Sequence, residues 1–363
     1  MSGRRIRVLI VDDSAIVRRV LTDILAAEPD IEVIGTAPDP YIARDKILSL
    51  SPDVLTLDIE MPRMDGLTFL DRIMQHRPMP VIIISSLTQS STKAAMEALR
   101  RGAVDVLAKP GGPYSVGDLK SDLANKIRAA AAARMPARGS SPAPTNPAAP
   151  HAAPAVGGAR HGRLAIGAST GGTTAIEQVL RGLPADMPPL VVVQHIPTVF
   201  SRAFAERLNT VCAIRVAEAV NGQMLEPGLA LIAPGNYHLG IERMGGGWRA
   251  QVFDGDKVCY QRPSVDVLFQ SIACCAAKET TALLLTGMGC DGAEGMLALR
   301  KAGAYTVAQD EASCVVFGMP REAIQRNAAC QVAPLKEMAG ILIRRAREGA
   351  LSPSYAGSGA PAR

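Results

Sequence analysis

The sequence predicts an α/β protein of two domains, the first a five-stranded parallel sheet wound on both faces by helices. Wholly apolar runs such as Ile6–Val11 recur, the pattern of strands buried on both faces of a parallel sheet. Segments with helical period alternate with them. A stretch over 134–161, with Pro142, Pro144, Pro147, Pro150 and Pro154 set among Ala, Ser and Gly, keeps no hydrophobic period and reads as a linker. It divides 363 residues into a domain over 1–133 and another over 162–350, each long enough to bury its own core, with a disordered tail over 351–363.

In the first domain Ile6–Val11 closes on Asp12-Asp13-Ser14, which can cap a helix over 15–27. Further strands are expected at 31–35, 54–57, 81–84 and 104–107, and helices at 41–50, 67–74, 92–100 and 118–133. Open sheets of this kind gather their functional groups at the carboxyl ends of the strands. Those ends carry Asp12, Asp13, Asp58, Ser85 and Lys109. Clustered carboxylates repel unless a hard cation sits among them, and Mg2+ takes one or two carboxylates with waters and a phosphate oxygen. Lys109 adds a positive charge suited to a phosphoryl group. One Asp at a strand end is usually a helix cap, but five such residues at four strand ends point to a site.

These residues resemble the receiver domain of two-component response regulators, over Ile6 to about Ala130. The Asp58 loop, with Met61-Pro62 and Asp65-Gly66, and Lys109-Pro110 match that family's pattern. The resemblance implies a flavodoxin-like fold in which Asp58 accepts phosphate from a histidine kinase. Asp12, Asp13, Asp58 and the carbonyl of Glu60 would hold Mg2+, and Ser85 and Lys109 would touch the phosphoryl oxygens. Val106 stands where the family often has an aromatic residue, so the signal must leave by another route, such as Ser85 and the Ser86-Leu87 loop.

The second domain opens with an apolar strand that ends in a small-residue turn at Ser169 and continues as a helix over 173–180. Such a turn lets substrate and backbone approach closely, and the helix offers unpaired N–H groups beyond it. It suits a nucleophile, but taken alone it also suits a phosphate-binding loop or a plain strand–helix turn. A second strand over 190–193 ends at His195, and a third over 282–285 runs into a glycine-rich turn holding Asp291. Short strands at 212–216, 228–232, 238–242 and 248–253 suggest an antiparallel insert. A strand at 305–308 and helices at 200–208, 265–277, 295–302, 320–327 and 335–348 complete the domain.

A serine hydroxyl needs an imidazole to take its proton and a carboxylate to orient the imidazole. Ser169, His195 and Asp291 sit at three strand ends and supply that set. Each has an ordinary role open to it: a cap, a satisfied turn histidine, and an N-cap before Gly292.

With the receiver pattern, this domain resembles the chemotaxis response regulator protein-glutamate methylesterases over nearly the whole chain. The matching stretches are 167–172, 194–197, 234–238, 262–266 and 286–296. The resemblance implies a Rossmann-like catalytic domain hydrolysing glutamyl γ-methyl esters on the cytoplasmic helices of chemoreceptors, with glutamine deamidation in some members. It makes Ser169 the nucleophile, His195 the base and Asp291 its orienter, with Thr170 and the N–H of Met288 beside the oxyanion. Gln261 stands where relatives carry histidine. No cofactor is implied for this domain.

The remaining features narrow the alternatives. Net charge is +5 without a long basic run, and aromatics are 4%, which argues against nucleic-acid binding. No apolar run is long enough for a signal segment or a membrane span, so a cytoplasmic chain with no membrane insertion is expected. Seven scattered cysteines without metal-ligand spacing read as reduced thiols, with Cys274-Cys275 buried on a helix and Cys290 inert in a buried turn. His151 and His161 read as solvated linker residues. A second domain without catalysis, a hydrolase of small esters or amides, and a DNA-binding regulator are the competing readings. The last lacks a basic recognition helix.

Overall fold

The structure is a computed structural model and describes residues 4–110, 116–135 and 162–348. The linker prolines, His151, His161 and the tail lie outside the described residues.

The first domain runs β1 (Ile6–Val11), α1 (Ala15–Ala26), β2 (Ile31–Ala37), α2 (Pro40–Leu50), β3 (Val54–Asp58), α3 (Gly66–His76), β4 (Val81–Ser85), α4 (Gln89–Arg100), β5 (Asp105–Ala108) and α5 (Val116–Ala131). Its sheet has the order β2-β1-β3-β4-β5, parallel throughout. The apolar run of β1 is explained by this position. Val8 and Ile10 pack into one core with Leu21 and Ile127, while Leu9 and Val11 pack into another with Phe69 and Leu70. Helix starts are fixed locally. Ser14 Oγ accepts from Val17 N at 3.4 Å, and Asp39 Oδ1 accepts from Tyr41 N at 2.8 Å ahead of α2, where Pro40 occupies the first turn.

The second domain runs β6 (Arg163–Ala168), α6 (Gly172–Arg181), β7 (Leu190–Gln194), α7 (Thr198–Val211), β8 (Arg215–Glu218), β9 (Leu229–Ile232), β10 (His238–Met244), β11 (Gly247–Phe253), α8 (Val265–Cys275), β12 (Thr280–Leu284), α9 (Ala293–Lys301), β13 (Tyr305–Gln309), α10 (Met319–Gln325), β14 (Gln331–Ala333) and α11 (Met338–Glu348). Its parallel sheet has the order β14-β13-β12-β6-β7-β9-β8; of the four short strands expected in an antiparallel insert only β10–β11 form one, while β8 and β9 join the parallel sheet beside β7. Order reverses at β6, whose neighbours are β7 and β12. Ser169, His195 and Asp291 follow those three central strands, at the crevice where such sheets place ligands.

Two local expectations are corrected, and one further strand is present. Cys212 caps α7, which continues to Val211 with Cys212 still packed on the core, and the strand begins at Arg215. Cys274 and Cys275 are exposed, since α8 turns its buried side through Leu268, Phe269 and Ile272 and its last turn faces outward. The three-residue edge strand β14 was not expected, being too short for any period to register. No described helix is long and apolar enough to cross a membrane.

Candidate active site and the acidic pocket of the receiver

The turn after β6 is shaped by a clamp. Gln194 Nε2 donates to the backbone oxygen of Ser169 at 2.8 Å and to that of His195 at 3.2 Å, and His195 N donates to Ala168 O at 3.2 Å. A Cβ on Gly172 would meet Gln194 Oε1 at 2.1 Å, so the clamp needs glycine there. His195 and Asp291 are both buried. His195 Nε2 lies 2.7 Å from Asp291 Oδ2, and His195 Nδ1 is buried with no hydrogen-bond partner. Ser169 and His195 line one cavity of about 420 Å³ with Met288, Asn236 and Arg262. No hydrogen bond joins Ser169 to His195 among the described residues, as is common where catalytic contacts tighten only around substrate.

Asp291 does not cap its own helix α9. It reaches across to the start of α8, accepting from Ser264 Oγ at 2.7 Å, Val265 N at 2.7 Å and Asp266 N at 3.0 Å. The N-cap of α9 is Gly292, without a side-chain bond. Burial pushes the Asp291 carboxyl up. The His195 hydrogen bond and charge, with the Val265 and Asp266 N–H groups, outweigh it and hold the acid below its usual range. Asp291 is therefore a fixed anion at the positive end of a helix. Ser264 and Asp266 complete its setting; in the sequence they are visible only inside a matching stretch, with no pattern that marks their role. The N–H groups of Thr170 and Met288 make no hydrogen bond among the described residues. The turn carrying Cys290 is open rather than buried, which corrects the expectation for that residue.

At the carboxyl end of the first sheet, ligand oxygens of Asp12, Asp13 and Asp58 lie within 4.8 Å of one another. Lys109 Nζ is 2.7 Å from Asp58 Oδ2 and 3.1 Å from Asp12 Oδ2. Asp58 Oδ1 accepts from Glu60 N at 3.2 Å. Burial, then the Asp12 charge, push the Asp58 carboxyl up to about 6 despite Lys109. Asp12 is also raised by burial. Ser85 is buried, its Oγ donating to Ser91 O at 3.2 Å, and Ser86 Oγ donates to Glu60 Oε2 at 3.1 Å.

A family model described as response regulator receiver domain matches residues 8–117, and one described as CheB methylesterase matches residues 164–342. A protein-glutamate methylesterase/protein-glutamine glutaminase 2 of Syntrophus aciditrophicus is 51% identical over 94% of this chain and 99% of its own length. The chain belongs to the CheB methylesterase family. The Escherichia coli protein-glutamate methylesterase/protein-glutamine glutaminase is 48% identical over 95% of this chain and 98% of its own. The crystal structure of the Thermotoga maritima CheB methylesterase catalytic domain superposes with a TM-score of 0.50 at 36% identity, covering 51% of this chain and 98% of that one. The chain is thus a CheB-type enzyme, a methylesterase with a receiver domain.

In this CheB methylesterase the receiver sits on the mouth of the Ser169 crevice. Leu107, Lys109 and Asn125 of the receiver line the same cavity as Ser169 and His195. Thr170 Oγ1 donates to Asp105 Oδ2 at 2.8 Å, both groups buried, and Lys126 pairs with the other oxygen of Asp105. Arg134 N donates to Val315 O at 2.9 Å, and α4 packs on α7. Asp105 carries no sequence signal for this contact: its place at the start of a strand looks like any polar strand edge.

Proposed function

We propose that this chain hydrolyses glutamyl γ-methyl esters on the cytoplasmic helices of chemoreceptors and deamidates glutamines there, through Ser169, His195 and Asp291. The supporting observation is the His195 ring, with Nε2 at 2.7 Å from Asp291 Oδ2 and Nδ1 buried and unpartnered in the residue set that lines the Ser169 cavity. The carboxylate keeps the ring proton on Nε2, so the lone pair is on Nδ1. This reverses the two ring nitrogens relative to the chymotrypsin-type triad but keeps the roles. Ser169 Oγ adds to the side-chain carbonyl carbon as its proton passes to Nδ1. The N–H groups of Met288 and Thr170 receive the oxyanion. Collapse breaks the C–O bond to methoxide, which leaves as methanol with the Nδ1 proton; glutamine loses ammonia in the same way. Water, deprotonated by Nδ1, then adds to the acyl carbon, the C–O bond to Ser169 breaks, and Oγ takes the proton back as the glutamate is freed. This puts the chain in the cytoplasm, beside its substrate. Methanol should be released from a methylated receptor fragment in step with new free glutamate, and a receptor left fully methylated would end this reading.

The receiver reading is that Asp58 takes a phosphoryl group from a histidine kinase with Mg2+ held by Asp12, Asp13, Asp58 and the Glu60 carbonyl. The donor set fits: three carboxylates converge, and Asp12 and Asp58 are buried with, among the described residues, the Lys109 ammonium alone beside two acids. The cation would neutralise charge between these acids and the phosphoryl oxygens. Lys109 and Ser85 orient those oxygens. Because the folded carboxyl of Asp58 titrates near 6, above its unfolded value of 3.8, the folded state binds the extra proton more tightly. Its ionisation therefore weakens the receiver as pH rises from about 4 to 6, and the full cost stands at pH 7. In chelator at pH 7, Asp58→Asn should melt above the parent chain, with the gap closing toward pH 4. A parent chain that melts higher at pH 7 would contradict this sign.

The docked receiver supports autoinhibition. Leu107, Lys109 and Asn125 of the receiver share the cavity with Ser169 and His195, so a receptor helix must displace them to reach the serine. A route for release runs from Asp58 through Ser85 and Ser86 to Ser91 and Glu60, which hydrogen-bond each other at the start of α4. The helix α4 is the one packed on α7, so no aromatic switch at Val106 is required.

A further inference from the structure

Beside the crevice, Cys259 Sγ and Cys290 Sγ lie 3.7 Å apart, both thiols free and both residues exposed. We infer that these two cysteines form a reversible disulfide when the chain meets a hydroperoxide, and that the bond slows turnover at the neighbouring site.

A disulfide needs about 2.05 Å between sulfurs, so the pair must close by roughly 1.7 Å. The mounting of each thiol makes that movement small and one-sided. Cys290 follows Gly289, whose φ is +89°, and a Cβ at Gly289 would meet nothing within 4 Å. The next residue, Asp291, is tied to Ser264, Val265 and Asp266, which holds that side in place. Cys259 sits at the tip of a two-residue turn closed by Val258 N to Gln261 O at 3.1 Å and Gln261 N to Val258 O at 2.8 Å. Cys259 and Tyr260 have φ of 50° and 64°, the left-handed region that costs a side-chain-bearing residue energy. The tip is the part free to move. Tyr260 is 77% exposed and held by little else.

The chemistry balances with the peroxide as oxidant. Either thiol of the pair can make the first attack; here Cys290, on the turn held in place by Asp291, is the first nucleophile. Cys290 Sγ takes the terminal peroxide oxygen, the O–O bond breaks, and an alcohol or water leaves with the thiol proton. Cys259 Sγ then attacks the Cys290 sulfenic acid, the S–O bond breaks, and water departs with the Cys259 proton. Two thiols lose two electrons in all. The product pins the Cys259–Tyr260 tip against the 288–290 turn, and both segments line the cavity. A shift of this size in a substrate-positioning wall should lower kcat/KM for a methylated receptor by about tenfold or more. The effect on turnover rests on the Ser169 reading; the disulfide does not.

The full chain is treated with hydrogen peroxide, its remaining thiols are alkylated, and unreduced peptides are weighed. The expected product is one intrachain peptide pair joining Cys259 to Cys290, lighter by two hydrogens, reversed by dithiothreitol and absent from Cys259→Ser and Cys290→Ser. Sulfinic acid at Cys290, a bond to Cys274 or Cys275, or links between chains would overturn it. Turnover is read as the ratio of treated to untreated rate within each variant. The parent ratio should fall about tenfold or more and recover on reduction, with both serine variants near one. A linked pair with an unchanged ratio refutes the control of turnover. A chain with no esterase activity before treatment counts against the Ser169 reading, and the peptide result still decides the disulfide.

Discussion

Replacing Ser169 by alanine should lower kcat for receptor ester hydrolysis by on the order of 10^6-fold, the loss seen when a serine triad loses its nucleophile. The hydroxyl is the only part removed, and the clamp on this turn uses backbone atoms: Gln194 Nε2 on Ser169 O, and Ser169 N on Thr286 O at 3.0 Å. Folding should therefore be unchanged and the receptor should still bind. Adding His195→Ala to the same chain should cost little more, because a base without a nucleophile has no proton to take. Methanol release at the parent rate from Ser169→Ala would remove the serine from the reaction. Normal adaptation signalling by that variant would instead favour a second domain that only binds.

Asp291→Asn should lower kcat by about 10^4-fold and also destabilise the domain. In the parent, Oδ1 accepts from Ser264 Oγ and Asp266 N, and Oδ2 accepts from His195 Nε2 and Val265 N. An amide has one acceptor oxygen, so its NH2 must face a backbone N–H whichever way it turns. Leaving such a donor unpaired costs about 1–3 kcal/mol. If the NH2 turns to His195 it also moves the ring proton to Nδ1 and removes the base. In either orientation the anion that steadies the charged ring is gone. Kinetics and thermal unfolding of the variant check both parts. A slow but fully stable Asp291→Asn would mean that the helix contacts matter less than the geometry implies, and an active one would end the orienting role.

Much of this was legible in the sequence, for identifiable reasons. Strands buried on both faces leave apolar runs, as in β1 and β7, and the groups that end them are fixed by the chain itself. Asp12, Asp58 and Lys109 could therefore be placed together, as could Ser169, His195 and Asp291. Contacts that depend on packing between elements leave no such trace. The reach of Asp291 to α8 and the bond from Thr170 to Asp105 involve partners 25 and 65 residues away that no period links. The exposure of Cys274 and Cys275 was missed because the burial of a helix face stops short of its last turn. The closeness of Cys259 and Cys290 depends on two turns meeting, which spacing cannot report.

The most direct measurement is the rate of methanol release from a methylated receptor by the full chain, with and without a small phosphodonor and Mg2+. A receiver that covers the crevice predicts a rise of about tenfold to a hundredfold on phosphorylation, since a few kcal/mol moves a docked–undocked balance by decades. Asp58→Asn should show the low rate under both conditions. A parent rate that stays level or falls with the phosphodonor, while Asp58 is shown to carry phosphate, would contradict it.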